Sequence, residues 1–221
     1  MYTISTIKVT GPDAFDFLQG QLTNDLRRLD EEAEILAAWC NPKGRVIWFG
    51  TIRSIESGYG LSAPAETAAS IIKRLTMFRF RSKVEFELVD ESQTVDAGFL
   101  IEHGYPFIGT EQSEQFTPHM LNFDLLDAIS FDKGCYPGQE IVARTYYKGA
   151  TKRRTARFKS EQPVAVGDKV TLDGRDIGEV LNVSGNDLLA VVPVDKADSG
   201  LSVNGMKLTH EQLPQTVQDP E

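Results

Sequence analysis

The sequence predicts an α+β domain followed by a small antiparallel β-barrel or sandwich, and two features point to it. Over roughly the first 150 residues, strand-like apolar alternation and helix-like apolar spacing take turns along the chain. From about Thr155 the helical spacing stops. Short apolar runs at 170–172, 177–183 and 188–194 are then separated by Asp173-Gly174, Gly185-Asn186 and Asn204-Gly205, pairs that favour tight turns. The expected division is 1–150 for the α+β domain, 151–215 for the barrel and 216–221 for a polar tail.

Each element has a local reason. Residues 3–9 alternate with β-branched side chains and read as a strand. Gly11-Pro12-Asp13 opens a short helix with Pro12 near its first turn and Ala14, Phe15, Phe17 and Leu18 as its buried stripe. Strands at 35–40 and 46–52 flank Asn41-Pro42-Lys43-Gly44, a turn in which Pro presets one dihedral and Gly tolerates positive φ. The clearest helix is 64–80, where Ala65, Ala68, Ala69, Ile72, Leu75 and Phe78 fall near a 3.6-residue period. Val84, Phe86 and Leu88 alternate with charges, as in a half-buried strand, and 95–102 reads as a helix stopped by Gly104 and Pro106. Gly58-Tyr59-Gly60-Leu61-Ser62-Ala63 matches G-x-G-x-x-[GA]. A dinucleotide site also requires a parallel βαβ unit and an acid about 20 residues on, where Lys83 and Glu85 sit near an antiparallel-looking strand, so the segment reads as a turn.

Composition narrows the function classes. The 221 residues carry 23 basic and 32 acidic side chains, a net charge of −9, which argues against a general nucleic-acid coat or a polybasic membrane binder. Cys40 and Cys135 are too few for a disulfide scaffold, and fewer than the four thiolates an iron–sulfur cluster usually takes. There is no signal-peptide pattern at the start and no apolar run near the roughly 20 residues that span a bilayer, so a reduced cytoplasm and no membrane contact are expected.

The most informative segment is Lys133-Gly134-Cys135-Tyr136-Pro137-Gly138-Gln139-Glu140, followed by a helix-forming run at 140–146. With Pro137 in the first helical turn, Cys135 stands just before a helix N-terminus, where free amides, the positive dipole end and Lys133 favour thiolate. Glycines on either side allow a ligand to approach the backbone. The alternative is a Gly-rich loop holding a buried, inert thiol.

Residues 131–144, Phe-Asp-Lys-Gly-Cys-Tyr-Pro-Gly-Gln-Glu-Ile-Val-Ala-Arg, resemble the K-G-C-[FY]-x-G-Q-E-x-V-x-R signature of the YgfZ family, folate-binding proteins related to the glycine-cleavage T-protein. Two further segments resemble that family in the same order. Gly11 to Asp25 is similar to G-x-D-A-x-x-F-L-Q-G-Q-x-T-x-D, and Ala37 to Arg45 to A-A-x-C-x-P-K-G-R. Gly104-Tyr105-Pro106 and Lys148-Gly149-Ala150 also fit. The resemblance implies a T-protein-like fold with a C-terminal barrel and a central tetrahydrofolate site. It further implies work on iron–sulfur clusters of client enzymes, some of which modify tRNA. Carried over residue by residue, it makes Cys135 the functional thiol with Lys133 beside it, and Gly134, Tyr136, Gly138, Gln139, Glu140 and Arg144 the folate contacts. No permanent metal is implied, with Cys135 as a transient cluster ligand. Two departures stand out. The chain is shorter than the family's usual length, in the middle section that helps wall the folate cavity. Trp48-Phe49 stands where T-proteins carry an acidic pair, and neither side chain accepts a proton, which argues against aminomethyl transfer.

Three functions therefore stand: a folate-binding accessory factor for iron–sulfur proteins, a folate-dependent one-carbon transferase, and a tRNA- or client-binding module. The last draws on a basic stretch without an acid, Arg144, Lys148, Lys152, Arg153, Arg154, Arg157 and Lys159, interleaved with Tyr146 and Tyr147, which also reads as a solvated helix end and strand face. His103, His119 and His210 lack metal-ligand spacing, while a Cys135–His119 nucleophilic pair stays open. The sequence does not set the oligomeric state.

Overall fold

The computed structural model describes residues 1–89, 92–149 and 151–214, the side chain of Lys148 aside; Ala150 and the polar tail expected at 216–221 lie outside the described residues. Strand β1 (Tyr2–Thr10) alternates as expected, burying Ile7 and Val9. Helix α1 (Ala14–Gln19) turns Ala14, Phe17 and Leu18 inward, leaving Phe15 only partly buried, and its cap residue is Asp13 rather than Pro12. Strands β2 (Ile35–Cys40) and β3 (Val46–Ile55) form a hairpin around the 41–44 turn, where Gly44 takes φ 68°.

The segment expected to be a turn is strand β4 (Gly58–Pro64), paired antiparallel with both β1 and β3. Its first glycine serves close strand approach: a Cβ on Gly58 would lie 2.2 Å from the Val9 carbonyl oxygen. Helix α2 (Ala65–Phe78) follows, but its buried stripe is rotated from the expected one. Thr67, Ala68, Ile71 and Leu75 are inside while Ala69 is exposed. Thr67 can be buried because its hydroxyl donates to the Pro64 carbonyl at 3.2 Å.

Beyond it come β5 (Glu85–Leu88), β6 (Gln93–Val95) and α3 (Ala97–Glu102). The polar strand β6 went unrecognised in the sequence, which placed Val95 in the helix. The sheet runs β2-β3-β4-β1, with β5 and β6 sharing the far edge of β1. From 103 to 138 the only helical piece is a 3₁₀ turn at His119–Leu121, and much of the backbone bonding comes from outside the segment. Ser130 N–H donates to the Thr23 carbonyl (2.9 Å), Phe107 N–H to Asn182 Oδ1 (3.0 Å), and Asn122 Nδ2 to the Thr155 carbonyl (2.8 Å).

Helix α4 (Gln139–Lys148) leads into β7 (Arg153–Ser160), β8 (Lys169–Leu172), β9 (Arg175–Ser184), β10 (Asp187–Pro193), β11 (Ser202–Val203) and β12 (Met206–Glu211). These six strands close in the order β10-β7-β12-β11-β8-β9, so the all-β part is a barrel and not a sandwich. Its turns place Asp173, Gly174, Gly185, Asn204 and Gly205 at positive φ, as their composition anticipated. Among the described residues there are three buried clusters: one under α1 and α2, one inside the barrel, and one between them. The middle cluster joins Ala38, Phe49 and Phe123 to Leu181, Leu189 and Val191 of the barrel, so the two parts share a core.

Candidate functional site

The three family-like segments, far apart in sequence, meet in space. Lys133 is 5% exposed, and its ammonium donates to the carbonyl oxygens of Gln19 (2.6 Å), Leu22 (2.6 Å) and Asn24 (3.0 Å). Gln19 ends α1, so the cation satisfies a helix C-terminal carbonyl and the loop just after it. Burial pushes the Lys133 ammonium down to about 8, which still leaves it mostly charged at neutral pH. The neighbouring residues extend the seam. Thr23 Oγ1 donates to the Ala128 carbonyl (2.7 Å) and accepts from Ala38 N–H (2.8 Å), while Asn24 Nδ2 donates to the carbonyls of Leu36 and Asp127, both at 2.8 Å.

At the other end, Gly138 caps α4 at φ 82° and lies against the 41–44 turn. A Cβ there would sit 2.6 Å from the Asn41 carbonyl oxygen and 2.8 Å from Gly44 Cα. A Cβ on Gly44 would in turn sit 3.0 Å from Ile141 Cβ. Asn41 is fixed in its turn: its Oδ1 accepts from Lys43 and Arg45 N–H, and its Nδ2 donates to Glu114 Oε1 at 2.7 Å. Glu114 also receives both terminal nitrogens of Arg74, at 2.8 and 2.9 Å. The Arg74 guanidinium and then the Asn41 amide hold its carboxyl down to about 2.

Between these two anchors the chain arches outward. Gly134 has nothing within 4 Å of a Cβ position, and Cys135 is exposed. The reading of a buried, inert thiol is thereby corrected for Cys135 and applies instead to Cys40. That residue is 1% exposed, with its thiol pushed up to about 12 by burial. Pro137 lies before the helix cap, not in the first turn, so Cys135 stands three residues ahead of Gly138. Lys133 is a buried tie between segments, its charge directed at carbonyls rather than at the neighbouring thiol. His119 is buried, and neither ring nitrogen has a hydrogen-bond partner among the described residues, which removes a Cys135–His119 pair. No group of three or more His, Cys, Asp or Glu side chains suited to a metal occurs among the described residues.

A cavity of about 700 Å³ opens between β2, β3 and β4 on one side and α3 and the 105–107 segment on the other. Phe49, Phe99, Tyr105 and Phe107 give it aromatic walls, and Glu34 and Asp96 bring carboxylates to it. Asp96 is half committed, because its Oδ1 accepts from Gly98 N–H at 2.9 Å to cap α3. Phe49 is stacked on Phe123 at 4.1 Å, and Trp48 is buried with Nε1 donating to the Ser62 carbonyl at 2.9 Å. None of Gly134, Tyr136, Gly138, Gln139, Glu140 or Arg144 lines this cavity. The physical reason is that Gly138 serves backbone-to-backbone packing, Tyr136 is buried, and Glu140 and Arg144 face solvent. No role for Thr23, Asn24, Tyr105, Glu114 or Glu34 is legible in the sequence. Only Thr23, Asn24 and Tyr105 lay inside segments that stood out.

The basic stretch is similarly divided. Arg154, half-buried, pairs with Asp124 (2.7 Å), Arg157 pairs with Asp187 (3.2 Å), and Arg153 donates to the Val191 carbonyl (3.2 Å). Arg144, Lys152 and Lys159 remain exposed. No helix among the described residues is long and apolar enough to cross a membrane.

Residues 152–217 match the family model described as CAF17, C-terminal beta-barrel domain. A Haemophilus influenzae protein described only as uncharacterized is 30% identical over 210 residues, covering 75% of each chain. The tRNA-modifying protein YgfZ of Pectobacterium carotovorum is 28% identical over 254 residues, covering 80% of this chain and 76% of that one. Its namesake in Hamiltonella defensa is 28% identical over 218 residues, covering 66% and 65%. The chain thus spans about two thirds to three quarters of these relatives' length. The crystal structure of glycine cleavage system aminomethyltransferase T from Bartonella henselae superposes with a TM-score of 0.68 at 15% identity, over 97% of this chain and 86% of that one.

Proposed function

The chain belongs to the YgfZ family, and on that footing we propose a tetrahydrofolate-binding accessory protein for the assembly or repair of iron–sulfur clusters in client enzymes, including tRNA-modifying ones, with Cys135 as its working thiol. One observation carries the reading: an exposed cysteine sits at the crest of an arch whose two feet are fixed by Lys133 and Gly138. A thiol held this way is accessible to a partner while its backbone is set in advance. The cluster is cargo in this scheme, since the chain's other cysteine is buried. The protein would act in the reducing cytoplasm, where unpaired thiols persist.

For the folate, the aromatic cavity fits in size and chemistry. Its volume is within the range of cofactor sites, its rings can sandwich a pterin, and Glu34 can accept from a pterin's amino and ring N–H groups. When bound, the reduced folate supplies one-carbon or reducing chemistry. The chain's own residues orient it and exclude water. Phe49 contributes a ring and no proton acceptor to the wall, so aminomethyl transfer has little support. A nucleic-acid module also has less to rest on, because Arg153, Arg154 and Arg157 are engaged within the fold.

The test has two arms. A deletion strain carrying Cys135→Ser should lose activity of its cluster-dependent enzymes while the purified variant melts like the parent; full complementation by that variant would refute the thiol role. Titration of the parent with tetrahydrofolate should quench Trp48, which neighbours Phe49 and is bonded to Ser62 in the cavity wall. An unchanged emission at millimolar ligand would remove the folate.

A further inference from the structure

A second cavity, about 420 Å³, opens on the residues that immediately precede Lys133. Its walls are Phe131, Tyr146 and Tyr147, and its charged residues are Arg28, Asp127 and Asp132. Phe131 and Tyr146 stack face to face at 3.9 Å. Tyr147 stands nearly perpendicular to them, at 86° and 4.9 Å from Tyr146 and 71° and 6.1 Å from Phe131. The rings make a corner, and they are open to water: Tyr146 is 52% and Tyr147 65% exposed.

The charge of the corner is negative. Arg28 is held by Glu32 (2.8 Å) and by Asp127 (2.5 Å), so its charge is already met. Asp127 sits at φ 55° with its side chain largely exposed, and exposed Asp132 forms no ion pair among the described residues. His119 lies behind the stacked pair, 6.4 Å from Phe131 and 6.5 Å from Tyr146, and burial pushes its imidazole down, so it adds no positive charge. Aromatic faces carry negative potential, and together with two carboxylates they attract a cation and repel phosphate. The net charge of −9 works in the same sense.

We propose that this corner receives the guanidinium or ammonium of an Arg or Lys side chain on a basic segment of a partner protein, docking it beside the Cys135 arch. Arg suits it best, because a planar guanidinium can stack on Tyr147 while bonding a carboxylate. The site is separate from the 700 Å³ cavity and does not depend on folate.

The test is calorimetric titration of the full chain at low salt with a blocked peptide carrying two arginines, beside the same peptide with neutral citrulline in their place. Saturable binding is expected for the arginine peptide and about tenfold weaker binding for citrulline. Tyr147→Ala and Asp132→Asn should each weaken arginine binding about three- to tenfold. Circular dichroism checks that each variant is folded. Absent arginine binding or equal citrulline binding would overturn the proposal. So would an oligouridine that binds the parent and is lost in Tyr147→Ala, or a dimer that Tyr147→Ala dissociates.

Discussion

Gly134 and Gly138 flank the same cysteine, yet adding one methyl group to each should have opposite consequences. In Gly138→Ala the new Cβ meets the Asn41 carbonyl oxygen at 2.6 Å and Gly44 Cα and N at 2.8 and 2.9 Å, all of them backbone atoms that no rotamer change relieves. The residue must also hold φ 82°, a left-handed conformation that costs an L side chain about 1–2 kcal/mol. Forcing the two turns apart adds about 1–3 kcal/mol. The sum is about 2–5 kcal/mol, and at about 2–4 °C per kcal/mol for a chain of this size Tm should fall by about 4–20 °C. Gly134→Ala meets nothing within 4 Å and should melt within about 2 °C of the parent. Thermal melts followed by circular dichroism compare the three proteins directly. A Gly138→Ala melt within 2 °C of the parent, or an equal drop in Gly134→Ala, would refute the claim that Gly138 serves packing against the 41–44 turn.

The remaining predictions concern the anchors and the thiols. Lys133→Met strands the carbonyls of Gln19, Leu22 and Asn24 and should cost about 2–4 kcal/mol in urea unfolding; a loss under about 0.5 kcal/mol would mean the tie contributes nothing. Glu114 has its pKa depressed by Arg74 and Asn41, so its stabilisation is complete above its ordinary carboxylate range and fades as pH falls towards 2. Glu114→Gln should therefore melt below the parent at pH 7, with the gap closing in acid; a gap that stays constant or widens contradicts the assignment. A disulfide exchange reagent should titrate one thiol in the native protein and two after unfolding, because Cys135 is exposed and Cys40 is buried. Native counts of zero or two would each sink it.

What the sequence disclosed depended on how local the cause was. The 41–44 hairpin turn and the barrel turns are written in a few adjacent residues and are legible from them; the start of α4 is displaced, because Gly138 and not Pro137 opens it. Strand β4 reads as a turn because its glycines carry a turn signal, whereas Gly58 serves close approach to β1, visible only once the partner strand is in place. The stripe of α2 was found with its phase displaced, since a buried Thr67 depends on a hydroxyl bond that hydrophobic periodicity does not encode. The segment around Cys135 stood out at once, but the purpose of its residues did not. Lys133 reaches carbonyls more than 100 positions away, and whether a glycine accommodates a ligand or another backbone is a through-space fact. The aromatic cavity draws on residues from Ile4 to Phe107 and has no linear signature.

The shared cluster between sheet and barrel has a consequence for how the protein comes apart. Leu181, Leu189 and Val191 cannot leave it without exposing Phe123 and the inner side of Phe49, the ring whose other surface faces the large cavity. Loss of the barrel therefore removes the backing of that cavity, and the barrel on its own would present three bare aliphatic side chains to water. The molecule should denature in one step, and damage at Leu189 should be felt as slackness in a pocket that residue never touches.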